Sequence, residues 1–344
     1  MENKMKAVGL YRYLPIDDPE SLLDLTLPKP QAKGRDLLVR VKAISVNPVD
    51  TKIRSPKEKV EEKPKILGWD VAGVVEEVGE NCSLFQVGDE VFYAGDSTRP
   101  GGNSEFHLVD ERIVGKKPDS LDFASAASLP LTSLTAYEAL FEHLAISKNK
   151  SSNVGKKLLI VNGAGGVGSI ATQLAKSVDL TVIATASRPE TRDWVKKQGA
   201  DVIINHHKDF SSQLEEENIK NVDYILCLHS TEMHWQAMAD VIAPLGKICS
   251  IVETEEAVDL GLLKDKSATF TWEFMFTKSS YQTENMVTQH EFLDKISQMV
   301  DNKEIHATIN HHYGTINAEN LKKAHKQLES DTTIGKIVLE GFNE

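Results

Sequence analysis

A chain of 344 residues is long enough for two domains of ordinary size, each with its own core. Its hydrophobic fraction of 40% and charged fraction of 26% are ordinary globular values. The formal net charge of −12, spread along the chain rather than gathered in a tail, argues against nucleic acid or an anionic membrane as the main partner, because neither would be attracted to it.

The amino terminus, Met1-Glu-Asn-Lys-Met-Lys, runs directly into strand-like residues without an apolar leader. No stretch approaches the roughly 20 apolar residues of a membrane span, so a cytoplasmic protein is expected. From Lys6 to about Leu129 short β-rich runs alternate with turn residues: Leu37 to Ser45, Val71 to Val78 and Glu90 to Tyr93 are strands, punctuated by Gly34, Asn47-Pro48, Gly79 and Gly88-Asp89. This pattern predicts an antiparallel, barrel-like first domain. Around 129–141 the period becomes helical, and from Leu158 strands and helices alternate, which implies a parallel sheet with crossover helices. Strands are expected at 158–163, 180–186, 201–205, 222–228 and 246–252, with a sixth at 268–275. Helices are expected at 167–177, 189–198, 231–243 and near 209–218. A helix over 286–300 and a tail strand at Gly335 to Glu340 fall outside that sheet and return to the first domain. Cys82, Cys227 and Cys249 are far apart and have no metal-ligand spacing, so they read as small apolar filler.

The stretch Val161-Asn-Gly-Ala-Gly-Gly-Val-Gly-Ser169 joins the first strand of the alternating region to its first helix. Gly163, Gly165 and Gly168 fill a G-x-G-x-x-G in the strand–turn–helix context that a dinucleotide requires. Gly163 is expected to make the sharp turn, Gly165 to let backbone approach a pyrophosphate, and Gly168 to let the helix pack on the sheet. The free N–H groups of the helix start, at Gly166, Val167 and Gly168, would face the phosphate charge.

Together the motifs resemble the zinc-independent quinone oxidoreductases of the medium-chain dehydrogenase/reductase superfamily, nearest the zinc-type alcohol dehydrogenase-like branch. The residues that carry this are Asn47-Pro-Val-Asp50 with Arg54, Gly68-x-Asp70-x-Ala72-Gly-Val-Val, Val87-Gly-Asp89, Gly101-Gly-x-x-Glu105, Ala126-Ala-x-Leu-Pro-Leu131, Thr135-Ala-Tyr-Glu138, the glycine loop and Gly335-Lys-Ile-Val338. The resemblance implies an α/β chain in two parts: a GroES-like antiparallel β-barrel domain at 1–129 and 280–344, and a doubly wound parallel-sheet Rossmann domain at 130–279. Zinc alcohol dehydrogenases carry a ligand Cys in the first motif and Gly-His-Glu in the second. Here those places hold Asn47 and Gly68-Trp69-Asp70, and the cysteine-rich lobe for structural zinc is missing, so no metal site is expected.

Without a Lewis acid, acceptors that need less polarisation are favoured, namely quinones and α,β-unsaturated carbonyls. The resemblance places Asn47 near the nicotinamide, bonding a cofactor ribose or the substrate oxygen, against the plainer reading of a turn residue before Pro48. Trp69 either walls the acceptor or is plain core. Thr132 is placed near the nicotinamide ribose. Asp50 and Arg54 read as a structural ion pair. Glu273, Met275 and Phe276 follow the sixth strand and read mainly as core. Ile251 and Val252 end the fifth strand and offer backbone to the nicotinamide. His206, after the third strand, either stacks on the adenosine end or meets a phosphate, whereas His311-His312 face solvent.

An NAD-specific site places an acidic residue at the end of the second strand. This chain reads Thr185-Ala-Ser-Arg-Pro-Glu-Thr-Arg192, so Ser187, Arg188 and Arg192 favour NADPH, although relatives use a lysine where Thr191 stands. The expectation is an NADPH-dependent reductase of quinones or enones, a homodimer paired through the sixth-strand edge. The alternatives are an alcohol or aldehyde oxidoreductase, and a non-catalytic NADPH-binding protein with a sensory or RNA-binding role.

Overall fold

The computed structural model describes residues 4–342. The chain divides into two compact units, one comprising residues up to Leu131 and from Phe276 onward, the other Thr132–Met275. The dividing lines fall at 131/132 and 275/276, where the sequence suggested 129/130 and 279/280.

The first unit holds strands β1 (Lys4–Tyr13), β2 (Leu23–Pro28), β3 (Asp36–Val46), β4 (Lys57–Ile66), β5 (Val71–Val78), β6 (Glu90–Tyr93), β7 (Phe106–Asp110) and β8 (Gly115–Lys116). Helix α1 (Pro48–Arg54) follows β3, and α2 (Phe123–Ala127) follows β8. The sheets are antiparallel except where β15 joins, with orders β2-β1-β4 and β15-β16-β3-β5-β6-β8, and β7 also pairs with β3. The chain returns through α8 (Thr277–Ser280), α9 (Thr288–Asp301), β15 (Ile309–His312), α10 (Ala318–Leu328) and β16 (Lys336–Glu340). β16 runs antiparallel to β3, with Ile337 opposite Val46, which joins the tail to the first domain's sheet. That pairing sets Lys336 beside the end of β3 and the turn at Asn47.

The second unit is a parallel six-stranded sheet, β11 (Val202–Ile204), β10 (Thr181–Thr185), β9 (Lys157–Val161), β12 (Val222–Cys227), β13 (Ile242–Ser250) and β14 (Thr269–Trp272), in that spatial order. Chain order runs outward on one side of β9 and then on the other, so the carboxyl ends of β9 and β12 flank the point where the winding reverses. The helices are α4 (Gly166–Ser177), α5 (Pro189–Lys197), α6 (Phe210–Glu216) and α7 (Thr231–Val241). Leu159, Ile183, Phe210, Ile225, Trp235 and Ile248 form its core, which explains the near-continuous apolar runs of the inner strands.

The helical segment expected at 129–141 is α3 (Pro130–Tyr137), followed by a π-helical turn over Glu138–His143. Such turns are uncommon and often accompany functional positions. No described helix is long and apolar enough to cross a membrane.

Candidate functional site

In the second unit the glycine loop leaves β9 and enters α4, but its residues divide the work differently from the sequence expectation. The left-handed residue of the turn is Asn162, at φ +66°, not Gly163. Asn162 tolerates that conformation through its short polar side chain, and its N–H donates to Thr185 Oγ1 at 2.8 Å. Gly163 is needed for packing: a Cβ there would lie 2.8 Å from Ala184 Cβ on β10. Gly168 is also a packing glycine, since its Cβ would come within 2.6 Å of the Gly163 oxygen. Gly165 differs from both. At φ −72° its nearest neighbour to a Cβ would be 3.7 Å away, so nothing inside the protein requires glycine there.

Gly165 is also the N-cap of α4 and has no side chain to cap the helix. The first-turn N–H groups at Gly166, Val167 and Gly168 therefore lack a side-chain acceptor at the positive end of the helix, the arrangement that takes an anionic pyrophosphate. Gly165, Gly166 and Val167 are partly exposed while Gly163 and Gly168 are buried. The residues present thus fit a dinucleotide. Trp194 Nε1 donates to Ser169 Oγ at 2.8 Å, which ties α5 to the same helix start.

The parallel order brings further candidates to the carboxyl edge of this sheet. Ser187 and Arg188 follow β10, His206 follows β11, and Ile251 and Val252 follow β13. Arg188 Nε sits 3.3 Å from Glu190 Oε1. Arg192 reaches across two strand ends, its guanidinium making long contacts to Ala186 O (3.5 Å) and Ile203 O (3.4 Å). Thr191 is buried and serves the helix, accepting from Arg188 N–H and donating to Arg188 O. His206 packs among His207 and His234. Burial first, then the neighbouring histidines, pull its pKa down to about 4. A neutral ring at physiological pH favours stacking over pairing with a phosphate. Ile251 N–H donates to Cys227 O, and the Val252 carbonyl accepts from Thr231 Oγ1, so the Val252 oxygen already holds a bond. Thr132 is 2% exposed within α3.

In the first unit the places of the zinc ligands hold a buried polar cluster. Asn47 Nδ2 donates to Asp70 Oδ2 at 2.8 Å. Lys336 Nζ donates to Asn47 Oδ1 at 2.5 Å, to Asp70 Oδ2 at 3.0 Å and to Val46 O at 3.0 Å. Leu131 N–H donates to Asp70 Oδ1 at 2.8 Å. Asp50 fixes the turn from below, accepting from Asn47 N–H and Gly68 N–H at 2.8 and 2.9 Å. Burial pushes the Asp50 carboxyl up to about 7, against the downward pull of the Asn47 bond and of the Lys336 charge. Asp70 is raised too, by burial above all. Gly68, at φ +107°, has no room for a side chain because a Cβ there would run into the Asn103 amide, which is buried with neither polar atom partnered among the described residues.

Several expectations change here. Asp50 and Arg54 do not serve as an ion pair: Arg54 donates to Leu14 O, His325 Nδ1 and Glu329 on the facing side of α1. Trp69 is 0% exposed, donates to Asp96 O at 3.2 Å and meets Phe276 edge to face, contacts that accord with the core alternative of its two readings. Met275 and Phe276 are buried, as expected of core. Glu273 is an ion-pair partner of His143, 2.7 Å away in the second unit, and holds that imidazole's pKa above its ordinary value. Lys336 and His143 went unsuspected in sequence. The signals for Lys336 were its place in the Gly335-Lys-Ile-Val338 motif and its position at the head of the apolar run Ile337-Val-Leu339, neither of which gave it a role.

The donor chemistry does not fit a tetrahedral zinc. An amide replaces the thiolate, a buried indole replaces the imidazole, and the carboxylate is taken by an ammonium. Among the described residues no group of three or more His, Cys, Asp or Glu side chains is placed to hold a metal ion.

Two family models match the chain, the alcohol dehydrogenase GroES-like domain at residues 33–119 and the zinc-binding dehydrogenase at 198–339. A zinc-type alcohol dehydrogenase-like protein of Staphylococcus epidermidis is 45% identical over 336 residues, covering 97% of this chain and 99% of the relative. Human quinone oxidoreductase is 37% identical over 208 residues, 59% of each chain. Among solved structures, a Rhizobium etli CFN 42 protein assigned as a zinc-dependent alcohol dehydrogenase superimposes with a TM-score of 0.94 at 47% identity, covering 99% of both chains. With its GroES-like unit, its doubly wound unit and full-length relatives of this identity, the chain belongs to the medium-chain dehydrogenase/reductase superfamily, in its zinc-type alcohol dehydrogenase-like group.

Proposed function

We propose that this oxidoreductase transfers hydride from NADPH to quinones or α,β-unsaturated carbonyls without zinc. The observation that carries the reading is the Asn47–Asp70–Lys336 cluster, which fills the metal-ligand places with groups already bound to one another. A chain lacking a Lewis acid is suited to acceptors whose reduction puts charge on an oxygen remote from the attacked carbon. The partial likeness to a quinone oxidoreductase supports the same class.

When bound, the reduced nicotinamide supplies the hydride. The chain's own residues supply binding and orientation. The uncapped start of α4 takes the pyrophosphate, Gly165 leaves room for it, and Arg188 with Arg192 meets the phosphate that distinguishes NADPH. Asn47 offers an amide hydrogen bond to the acceptor oxygen, the electrostatic help that a metal gives elsewhere. The two hydride electrons form the new C–H bond, the displaced π pair moves to oxygen, and water provides the proton.

The test is NADPH consumption by metal-analysed protein across ortho- and para-quinones, enones, aldehydes and simple alcohols. Quinone or enone reduction with far less than one zinc per chain is expected. Stoichiometric zinc linked to activity, or alcohol oxidation without quinone or enone reduction, would overturn the reading.

A further inference from the structure

Lys336 is 3% exposed at the start of a buried strand. Removing an ammonium from water costs several kcal/mol unless every hydrogen is matched. All three are matched, by Val46 O, Asn47 Oδ1 and Asp70 Oδ2. Both Asp70 oxygens are matched as well, Oδ1 by Leu131 N–H and Oδ2 by Lys336 and Asn47.

These partners leave no ambiguity in the Asn47 amide. An ammonium only donates, so it must face Oδ1, and a carboxylate only accepts, so it must face Nδ2. The amide cannot flip without placing donor against donor and acceptor against acceptor. Asp50 fixes the backbone beneath it through Asn47 N–H and Gly68 N–H. Nδ2 carries two hydrogens and gives one to Asp70; among the described residues the other meets no acceptor.

A cation bound at an amide oxygen draws electron density away from the nitrogen and strengthens its N–H groups as donors. At 2.5 Å the Lys336 contact is the shortest in the cluster.

We propose that Lys336 is a positioning residue which, through Asn47 Oδ1, orients and polarises the remaining Nδ2–H as the donor to the acceptor oxygen during hydride addition. The proposal rests on the reductase reading above. Asn47 keeps both its hydrogens throughout; the hydride electrons enter the new C–H bond, the π pair moves to oxygen, and the proton comes from water. A protein cation thereby does through an amide what a bound metal does directly.

Three measurements on the full chain test it. In 15N-labelled wild type holding NADP+, the Asn47 side-chain resonances, assigned by their loss in Asn47→Asp, are followed as a non-reducible saturated cyclic ketone is added. One Nδ2 proton is expected to move downfield. In Lys336→Met/Asp70→Asn, which leaves no uncompensated charge, kcat for quinone or enone is expected to fall about 10- to 100-fold, a share of what an oxyanion donor gives. The NADPH KM should stay within threefold. Lys336→Arg should recover part of kcat. An Asn47 proton indifferent to ketone, or a folded double variant with wild-type kcat, would overturn the proposal. Wild type that reduces neither quinone nor enone refutes the reductase reading instead, and the ketone titration, which needs neither turnover nor the double variant, still decides the role of the amide.

Discussion

Gly168 approaches Gly163 so closely that a Cβ on Gly168 would sit 2.6 Å from the Gly163 carbonyl oxygen, whereas a Cβ on Gly165 would meet nothing nearer than 3.7 Å. Two glycines of one motif therefore differ: the packing of α4 against the β9 turn requires one, and no contact within the protein requires the other. Gly168→Ala is expected to destabilise the protein by about 1–3 kcal/mol, the usual range for overpacking. Gly165→Ala should leave stability near wild type and weaken NADPH binding roughly 10-fold or more, about 1.4 kcal/mol. Urea unfolding and fluorescence titration of both variants check this. A Gly165→Ala protein that binds NADPH normally would refute the phosphate assignment.

Much of this fold was legible because its signals are local. The apolar runs and turn residues give β5 and β6 over the stated residues, and the strand–glycine–helix junction is read from one stretch. Asn47, Asp70 and Lys336 behave differently. The bond from Lys336 to Asn47 spans 289 positions and exists only because β16 pairs with β3. No periodicity announces that pairing. Trp69 suits either wall or core in sequence, since a large aromatic in a turn serves both, and its full burial follows from tertiary packing that no local pattern announces. The Asp50–Arg54 spacing suited an ion pair, but helix α1 turns each residue toward partners from other parts of the chain.

Among the described residues the edge strand β14 pairs on one side only, with β13, and Trp272 and Phe274 at its end are 46% and 55% exposed. An open parallel edge beside large apolar side chains is a template for another strand. We expect a second copy of this chain to cover it. Light scattering at micromolar concentration should give about twice 38.1 kDa, and Trp272→Asp/Phe274→Asp should halve that mass. A wild-type mass near one chain would overturn this expectation.

Buried titratable groups impose two opposite pH dependences on stability. His107 is held neutral: its Nε2 faces the Pro100 oxygen and so carries the proton, its Nδ1 accepts from Tyr93 OH, and burial lowers its pKa to about 4. Between that value and the ordinary 6.5 the unfolded chain binds the extra proton. Its contribution is full above 6.5 and is lost as pH falls towards 4, about 3 kcal/mol in all. Asp50 acts in reverse. With its carboxyl raised from 3.8 to about 7, the folded form holds the proton in that window, and stability declines as pH rises through it. Urea midpoints from pH 4 to 8 separate the two. The advantage of wild type over His107→Gln should grow up to pH 6.5, and that over Asp50→Asn should shrink up to pH 7. A flat difference in either series removes that assignment.

The proposed preference for NADPH over NADH rests on the end of β10. An acidic residue there would accept ribose hydroxyls and repel a 2′-phosphate; this chain has Ser187 followed by Arg188 instead. Thr191 is occupied as a cap, accepting from Arg188 N–H at 3.1 Å and donating to Arg188 O at 2.8 Å. It therefore fixes the Arg188 backbone, and in the proposed site the phosphate contact would fall to the guanidinium. Arg188 lies 3.3 Å from Glu190, in an exposed pair of little intrinsic strength. A phosphate would compete with that carboxylate for the same cation. Charge-assisted hydrogen bonds contribute about 1.5–3 kcal/mol each, so Arg188→Ala should weaken NADPH about 10-fold or more and leave NADH nearly unchanged. Glu190→Gln should act oppositely and tighten NADPH alone, because it removes one carboxylate that competes with phosphate for the guanidinium. Thr191→Ala should cost about 1 kcal/mol of stability as a lost cap, with a smaller effect on NADPH than Arg188→Ala. Dissociation constants for both cofactors across the four proteins give the answer. Equal affinities in wild type, or equal losses for both cofactors in Arg188→Ala, would show that this strand end does not read the phosphate.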